Sequence, residues 1–238
     1  MNMRNLNNNK KEDRSTMPIL EVCAASIASA RAAAEGGAQR IELCTRLDLD
    51  GLTPTEDEIR EARLLNGLRL HVLIRPREGD FVYSSDEFAL MKEQIEMSRR
   101  LGADGVVIGA LTPVGDIDVE HCLPLMAAAQ GMQVTFHRAF DQCRDPRQGL
   151  QDIMRLGCHR LLTSGQAPTA ETGIPLLREL NLQSQGRIII MPGAGVNPGN
   201  ARHILMETGC TEIHSSSRMP GEKESSPEVV RNILNAIQ

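Results

Sequence analysis

Short apolar runs alternate with amphipathic stretches along most of the chain. Eight runs have the length of β-strands and are separated by segments with helical spacing. The first of these segments is rich in alanine and stops at Gly36 and Gly37, as expected for the end of a helix. The runs are ILEVCA (19–24), RIELC (40–44), LRLHVLIRP (68–76), GVVIGA (105–110), MQVTFHRAF (132–140), HRLLTSG (159–165), RIIIMPG (187–193) and TEIHSSS (211–217).

Eight alternating strand and helix units predict an α/β protein, a closed (β/α)8 barrel of the TIM type that forms one domain over residues 18–238. A doubly wound open sheet is the alternative, but units of near-equal length leave no obvious edge strand. Residues 1–17 lack an apolar run, so we expect a disordered tail rather than a signal peptide. Within the second unit, Thr53 is expected to cap a helix that begins at Pro54.

Composition narrows the classes of function. The chain has 238 residues, a net charge of −5, no Trp, one Tyr and four Phe. Nucleic-acid binding is not expected, because it usually needs a basic surface or stacking aromatic rings. No membrane interaction is expected either, since no segment approaches the roughly 20 apolar residues of a membrane span. The six cysteines include no Cys-x-x-Cys pair, and since no export signal is recognised we expect six reduced thiols in a cytoplasmic protein.

Lysine is scarce, and this restricts the chemistry of the protein. The four lysines, Lys10, Lys11, Lys92 and Lys223, all lie outside the apolar runs. A Schiff base with a substrate or with pyridoxal phosphate needs a lysine on a barrel strand. We therefore expect no Schiff-base chemistry and no pyridoxal phosphate, and we expect no nicotinamide cofactor.

Polar side chains on the strands should face the barrel lumen, because the opposite face of each strand packs against helices. The first strand then places Glu21 and Cys23 inside, and the second places Glu42 and Cys44 at equivalent positions. Active sites of barrel enzymes lie at the C-terminal mouth, where these groups are concentrated. A purely structural ion-pair network is the alternative, with the glutamates bound by Arg75 and the histidines. Further residues expected in the lumen are His71, Leu73, Thr135, His137, Glu212 and His214.

These lumen residues predict two kinds of chemistry. In an enzyme, Glu42 or Glu21 would be the general base, His137 the general acid, and Arg75 a clamp for a small phosphorylated or carboxylated metabolite. A divalent metal ion held by Glu and His side chains stays open. The thiols of Cys23 and Cys44 lie on neighbouring strands about 4.8 Å apart, so they could bind a soft ion such as Cu(I). The alternative for this pair is a role as small buried hydrophobic residues.

Three loops supply candidate substrate-binding groups. MPGAGV after the seventh strand is glycine-rich, so its backbone amides could bind a phosphate. TSGQ after the sixth strand offers hydroxyl and amide donors, and IRPREGDFVYS after the third could form an anion-binding lid. Tight turns and a solvated loop are the structural alternatives. The candidate substrate-binding residues are Arg77, Asp80, Thr163, Ser164, Gly193, Gly195 and His214.

Several motifs, in order from Ile19 to Ser217, carry a resemblance to a known family. They are LEVC, GGAQRIELC, GLTPT, IRPREGDFVYS, VTFHRAFD, HRLLTSGQ, MPGAGV and EIHSSS. Together they resemble the CutC family of copper homeostasis proteins. The resemblance implies a TIM-type barrel, a cytoplasmic homo-oligomer (a dimer or a tetramer) and Cu(I) binding, with Cys23 and Cys44 matching the cysteines of the family. Two positions depart from the family pattern, because Asp50 and Glu78 stand where glycine is usual.

Overall fold

The computed structural model describes residues 17–238, so the predicted tail, apart from Met17, lies outside the described residues. Its strands are β1 (Ile19–Ala24), β2 (Arg40–Leu43), β3 (Arg69–Leu73), β4 (Gly105–Ile108), β5 (Gln133–Phe136), β6 (Arg160–Thr163), β7 (Ile189–Pro192) and β8 (Glu212–Ser215). All pair in parallel in one sheet with the order β7-β6-β5-β4-β3-β2-β1-β8. Contacts between β7 and β8 bring this sheet nearly to closure. The predicted (β/α)8 barrel is confirmed.

One helix follows each strand. The helices are α1 (Ile27–Gly36), α2 (Glu56–Arg63), α3 (Ser85–Arg100), α4 (Val119–Ala128), α5 (Pro146–Leu156), α6 (Ile174–Ser184), α7 (Ala201–Thr208) and α8 (Pro227–Ile237). Two short 3-10 turns, Leu47–Leu49 and Arg138–Gln142, follow β2 and β5 at the mouth of the barrel. Within residues 17–238, none of the helices combines the length and apolarity that crossing a membrane requires.

Local hydrogen bonds set the helix ends. Thr55 caps α2, since its hydroxyl accepts from the Glu58 amide while the Glu58 carboxylate accepts from the Thr55 amide. The expectation that Thr53 caps this helix is wrong by two residues, because its hydroxyl instead accepts from the Arg75 amide. Gly37 ends α1 in the left-handed conformation with a φ of 90°, which confirms the predicted helix end.

Side chains alternate along each strand between the lumen of the barrel and the core that lies between the sheet and the helices. Val22 and the other helix-facing residues of the strands pack in a large aliphatic core between sheet and helices. On the opposite face, the strand register places Glu21 beside Arg40 and Cys23 beside Glu42. The two Glu-x-Cys motifs are therefore staggered by two residues, as the shear of a closed barrel requires. The expectation that they occupy equivalent positions is wrong, although both face the lumen.

Candidate functional site

A buried ion-pair network fills the lower part of the lumen. Nε of Arg40 donates to Oε2 of Glu21 at 2.5 Å, and its Nη2 donates to Glu212. Nε of Arg160 donates to Oε2 of Glu212 at 2.7 Å. Burial would raise the pKa of Glu21, but the charge of Arg40 and a hydrogen bond from His214 hold it well below its usual range. Glu21 is therefore ionised and fully paired, which makes it a poor proton acceptor.

Arg75 lies outside this network, so the structural alternative of an ion-pair network is wrong about Arg75, although His214 pairs with Glu21 as that alternative expects. Its guanidinium donates to the carbonyl oxygens of Leu49, Gly51 and Gly79 at 2.7, 2.9 and 3.0 Å, and lies 5.2 Å from the centre of the Phe81 ring. Its Nε is buried without a hydrogen-bond partner among residues 17–238. Arg75 thus brings a positive charge to the mouth, and its role as an anion clamp stays a prediction.

A cavity of about 600 Å³ opens at the C-terminal mouth. This volume is in the range of small-molecule sites, about 300–1,000 Å³. The predicted site residues that line the cavity are Cys23, Glu42, Arg75, His137, Gly195 and His214. Those that do not line it are Glu21, Cys44, Arg77, Asp80, Thr163, Ser164 and Gly193.

Glu42 presents a buried carboxylate to the cavity. The residue is 5% exposed, and its Oε2 has no hydrogen-bond partner in the part of the chain that is described. Nδ1 of His214 lies 3.8 Å from this oxygen, which is too far for a hydrogen bond. Burial and the charge of Glu21 raise the pKa of Glu42 to about 7, although the charge of His214 opposes them. A carboxyl group that titrates near neutral pH can take up and return a proton.

His214 is held as a cation between two carboxylates. Its Nδ1 donates to Oε1 of Glu21 at 2.9 Å. Burial would lower its pKa, but hydrogen bonds with Cys23 and Glu21 and the charges of Glu42 and Glu21 raise it well above the usual value. His214 therefore links the lower ion-pair network to Glu42 and adds a positive charge to the cavity wall.

His137 is oriented by the backbone of the turn that follows it. The amide of Ala139 donates to Nδ1 of His137 at 3.1 Å, so the proton of the neutral ring is on Nε2. This Nε2 is buried without a partner among the described residues, and the ring centre lies 5.0 Å from that of Phe81. Burial and the charge of Arg75 lower the pKa of His137 to about 3. The geometry thus favours a neutral hydrogen-bond donor over the predicted general acid.

The thiols of Cys23 and Cys44 are close together, and Cys23 is the one of the two that lines the cavity. Their Sγ atoms lie 3.9 Å apart, and both residues are buried. Two sulfur atoms at this separation can both lie about 2.3 Å from one metal ion, the distance typical of a zinc–thiolate bond. The hydrogen bond with Cys44 and burial raise the pKa of Cys23 well above its usual value. A metal ion would therefore have to displace a proton from Cys23.

One group of buried side chains, Glu21, Glu42 and His214, resembles a set of ligands for a divalent ion. Within residues 17–238 they form a group whose potential ligand atoms all lie within 4.8 Å of one another. However, the two carboxylate oxygens of Glu21 already accept hydrogen bonds from Arg40 and His214. Since binding would remove partners from a buried cation, this set of donors does not fit a divalent ion.

Asp141 organises the loop after β6, and the sequence did not single it out. Its carboxylate accepts from the hydroxyls of Thr163 and Ser164 and from the amides of Ser164 and Gln166. Nε of Arg138 adds an ion pair at 2.7 Å. Thr163 and Ser164 therefore donate to Asp141 and hold the loop, while Asp141, Arg138 and Gln166 line the cavity.

The loop after β3, predicted to be an anion-binding lid, is held by internal hydrogen bonds at the side of the cavity. Arg77 donates to Glu87 at 2.6 Å, to Oδ1 of Asp80 at 2.9 Å and to the carbonyl of Val82 at 2.8 Å. These bonds keep Arg77 and Asp80 away from the cavity, whereas Phe81 reaches it together with Arg75 at the start of the loop. The structure therefore favours a positioning role for Arg77 and Asp80 over direct contact with a substrate.

Of the two glycines predicted after β7, one faces the cavity. Gly195 lines it with Ala194, and both have a positive φ, of 72° and 85°. Such a φ is uncommon for alanine, and strained residues of this kind are frequent at functional sites. Gly193 serves packing instead, because a Cβ there would lie 2.5 Å from Cδ1 of Leu162.

Comparison with known proteins agrees with the motifs and the barrel. The family model described as "CutC family" matches residues 18–219. The chain belongs to the CutC family. A CutC family protein from Bacteroides thetaiotaomicron is 55% identical over 199 residues, which cover 83% of this chain and 80% of the relative. The resemblance predicted from the sequence is thus confirmed.

Solved structures extend this comparison. A CutC protein from Streptococcus agalactiae, whose name refers to copper homeostasis, has a TM-score of 0.81 at 33% identity, covering 84% of this chain and 99% of that one. Thiamine phosphate pyrophosphorylase from Pyrococcus furiosus has a TM-score of 0.64 at 18% identity, covering 92% of this chain and 95% of that one. The second likeness shows the fold alone.

The two departures from the CutC pattern are accommodated differently. Asp50 lines the cavity and has a φ of 62°, a left-handed conformation that aspartate tolerates better than most residues. At the other position, Gly79 has the left-handed φ of 88°, whereas Glu78 does not have a positive φ. Replacement of glycine by Glu78 therefore costs no backbone strain.

Proposed function

We propose that the mouth of the barrel is an enzyme active site that moves protons on a small anionic metabolite. The observation that carries this proposal is a pair of buried atoms, Oε2 of Glu42 and Nε2 of His137. Both lack a hydrogen-bond partner among residues 17–238, and both residues line the same cavity. Buried polar groups are costly when unpaired, so a ligand that pairs with both would be bound favourably.

The roles of the residues follow from their surroundings. Glu42 is the general base, because its buried Oε2 accepts no hydrogen bond and its carboxyl group titrates near neutral pH. His137 donates a hydrogen bond from Nε2, and the positive charges of Arg75 and His214 attract an anionic group. Glu21 holds His214 in place and does not take a proton itself. Of Glu21 and Glu42, the two bases predicted from the sequence, only Glu42 then transfers a proton.

A panel of phosphorylated and carboxylated metabolites, incubated with the protein in D₂O and followed by ¹H NMR, tests the proposal. Turnover or proton exchange should fall by about 10²- to 10⁴-fold in Glu42→Gln, the usual contribution of a general base. Glu93→Gln is the matched control, since Glu93 is exposed on α3 and outside the cavity. Activity that survives in Glu42→Gln, or no reaction with any compound, contradicts the proposal.

Cu(I) binding by Cys23 and Cys44 is a second candidate function. It is supported by the Sγ–Sγ distance of 3.9 Å and by the name of the CutC protein from Streptococcus agalactiae. A competition titration of Cu(I) into the reduced protein, against a chelator as strong as cytosolic copper carriers, tests it. One tightly held ion, lost in Cys23→Ser/Cys44→Ser and kept in Cys210→Ser, would support copper handling. Failure to compete with the chelator would contradict it.

A cytoplasmic location and assembly into a homodimer or homotetramer are also proposed. Both rest on the family resemblance, and the location is further supported by six buried cysteines that form no disulfide. Light scattering on the purified protein measures the assembly, and a monomer at micromolar concentration would contradict it.

A further inference from the structure

We infer that the substrate is a carbonyl compound whose oxygen accepts a hydrogen bond from Nε2–H of His137 while Glu42 takes a proton from the adjacent carbon. This inference rests on the proposed function and deepens it to a class of reaction.

The backbone amide of Ala139 favours one tautomer of His137. A backbone amide can only donate, so the 3.1 Å bond from Ala139 requires Nδ1 to accept. The ring proton is then on Nε2, the atom that is buried without a partner in the described part of the chain. Because His137 is 6% exposed and lines the cavity, a ligand there is the partner available to this N–H.

The surroundings of Nε2–H suit an oxygen that gains negative charge. The ring lies beside Phe81, and the guanidinium of Arg75 lies 5.2 Å from that same phenyl ring. A neutral imidazole of this kind polarises a carbonyl group without giving up its proton, and it binds the resulting enolate more strongly than the ketone.

The chemical step is balanced with these residues alone. The C–H bond beside the carbonyl breaks, and its proton moves to the carboxylate of Glu42. The electron pair of that bond forms a carbon–carbon double bond, and the π pair of the carbonyl moves to the oxygen that His137 binds. When Glu42 returns the proton to the neighbouring carbon of an α-hydroxy carbonyl, the hydroxyl proton passes to the adjacent enolate oxygen, and the isomeric carbonyl compound is formed. No oxidant, reductant or cofactor is required.

Oxalate, a planar dianion that resembles an enolate, is the probe that tests this inference. In protein labelled with ¹⁵N-histidine, NMR should show His137 protonated on Nε2 near pH 7, and oxalate should shift this N–H resonance downfield. Oxalate affinity should fall by at least about tenfold in His137→Ala, the loss of about one good hydrogen bond to a charged group. His137→Gln should restore part of it, because the glutamine amide can donate from a similar place. His203→Ala, exposed on α7, is the control.

The inference and the proposed function fail in different ways. A ring protonated on Nδ1, no oxalate binding, or oxalate binding that leaves the His137 resonance unchanged overturns the inference. The proposed function is overturned separately, by turnover in D₂O that does not depend on Glu42. If turnover needs Glu42 but oxalate does not affect His137, the protein is a proton-transfer enzyme. Its substrate is then not bound through Nε2–H of His137.

Discussion

A Cβ atom built on Gly109 would lie 2.4 Å from Nδ1 of His137. Real Cβ atoms essentially never come so close, so the glycine after β4 provides the space that the imidazole occupies. Phe81 packs against the same ring, and the Ala139 amide binds its Nδ1. His137 is therefore positioned by steric and hydrogen-bonding contacts from three segments of the chain, as a donor with a defined direction must be.

Replacing Gly109 with alanine should displace the His137 ring. We expect a loss of stability of about 1–3 kcal/mol, the usual cost of overpacking, together with loss of oxalate binding. Urea denaturation and an oxalate titration measure the two effects. Gly199→Ala is a suitable control, since a Cβ there meets only a side-chain oxygen of Asn197 at 3.2 Å. Unchanged stability and oxalate affinity in Gly109→Ala would show that the ring is not held where it lies here.

The lower ion-pair network should be essential for stability. Replacing Arg40 with methionine leaves Glu21 without its arginine partner and Glu212 with Arg160 alone, so we expect a loss of about 3–5 kcal/mol by urea denaturation. Arg60→Met breaks an exposed pair with Glu56 on α2 and should cost no more than about 0.5 kcal/mol. Similar small losses in both variants would mean that the buried network contributes little.

The stability of the protein should depend on pH through Glu42. Its pKa is raised from the usual 4.5 to about 7, so the folded protein binds more protons than the unfolded chain between these values. Its contribution to stability is therefore lost as the pH rises from about 4.5 to 7 and stays lost above that. Glu42→Gln should be more stable than the wild type at pH 8, by roughly 1–3 kcal/mol, with little difference at pH 4.5. Urea denaturation at both pH values measures this, and a constant difference would contradict it.

Asp141 should determine the order of the loop after β6. Asp141→Ala removes the acceptor for the amides of Ser164 and Gln166, so their hydrogen exchange should become faster by at least about tenfold. Asp152→Ala on α5 is the control, since that carboxylate bonds only Gln148 and Arg155 among residues 17–238. Exchange rates that stay unchanged in Asp141→Ala would show that the loop is ordered by other contacts.

The barrel could be predicted from sequence because its strands and helices leave strong periodic signals. The same alternation placed Glu42, His137 and His214 in the lumen, and the structure brings all three to one cavity. Arg40 lies two residues before Glu42 on the same strand, so the same alternation predicts that it also faces the lumen, where it is the partner of Glu21. The structural alternative named Arg75 as the arginine of the ion pairs, whereas Arg40 and Arg160 supply them.

Other features depend on contacts that no local pattern reveals. Asp141 follows β5, and its partners Thr163 and Ser164 follow β6, so their pairing requires two strands to be adjacent in space. Loop conformation likewise determines which polar residues face the cavity. Arg77, for example, donates to Glu87 and does not line the cavity. The stagger of the two Glu-x-Cys motifs comes from barrel closure, which is a property of the whole sheet.

The central claim is that Glu42 is a carboxyl group without a hydrogen-bond partner for its buried Oε2 among residues 17–238, able to exchange a proton with a bound ligand at neutral pH. Titration of ¹³C-glutamate-labelled protein by NMR, with Glu42→Gln to assign the resonance, tests it most directly. We predict a carboxyl resonance that is missing in the variant and titrates with a midpoint near pH 7. A midpoint near 4.5, the usual value for glutamate, would contradict the assignment of Glu42 as the base.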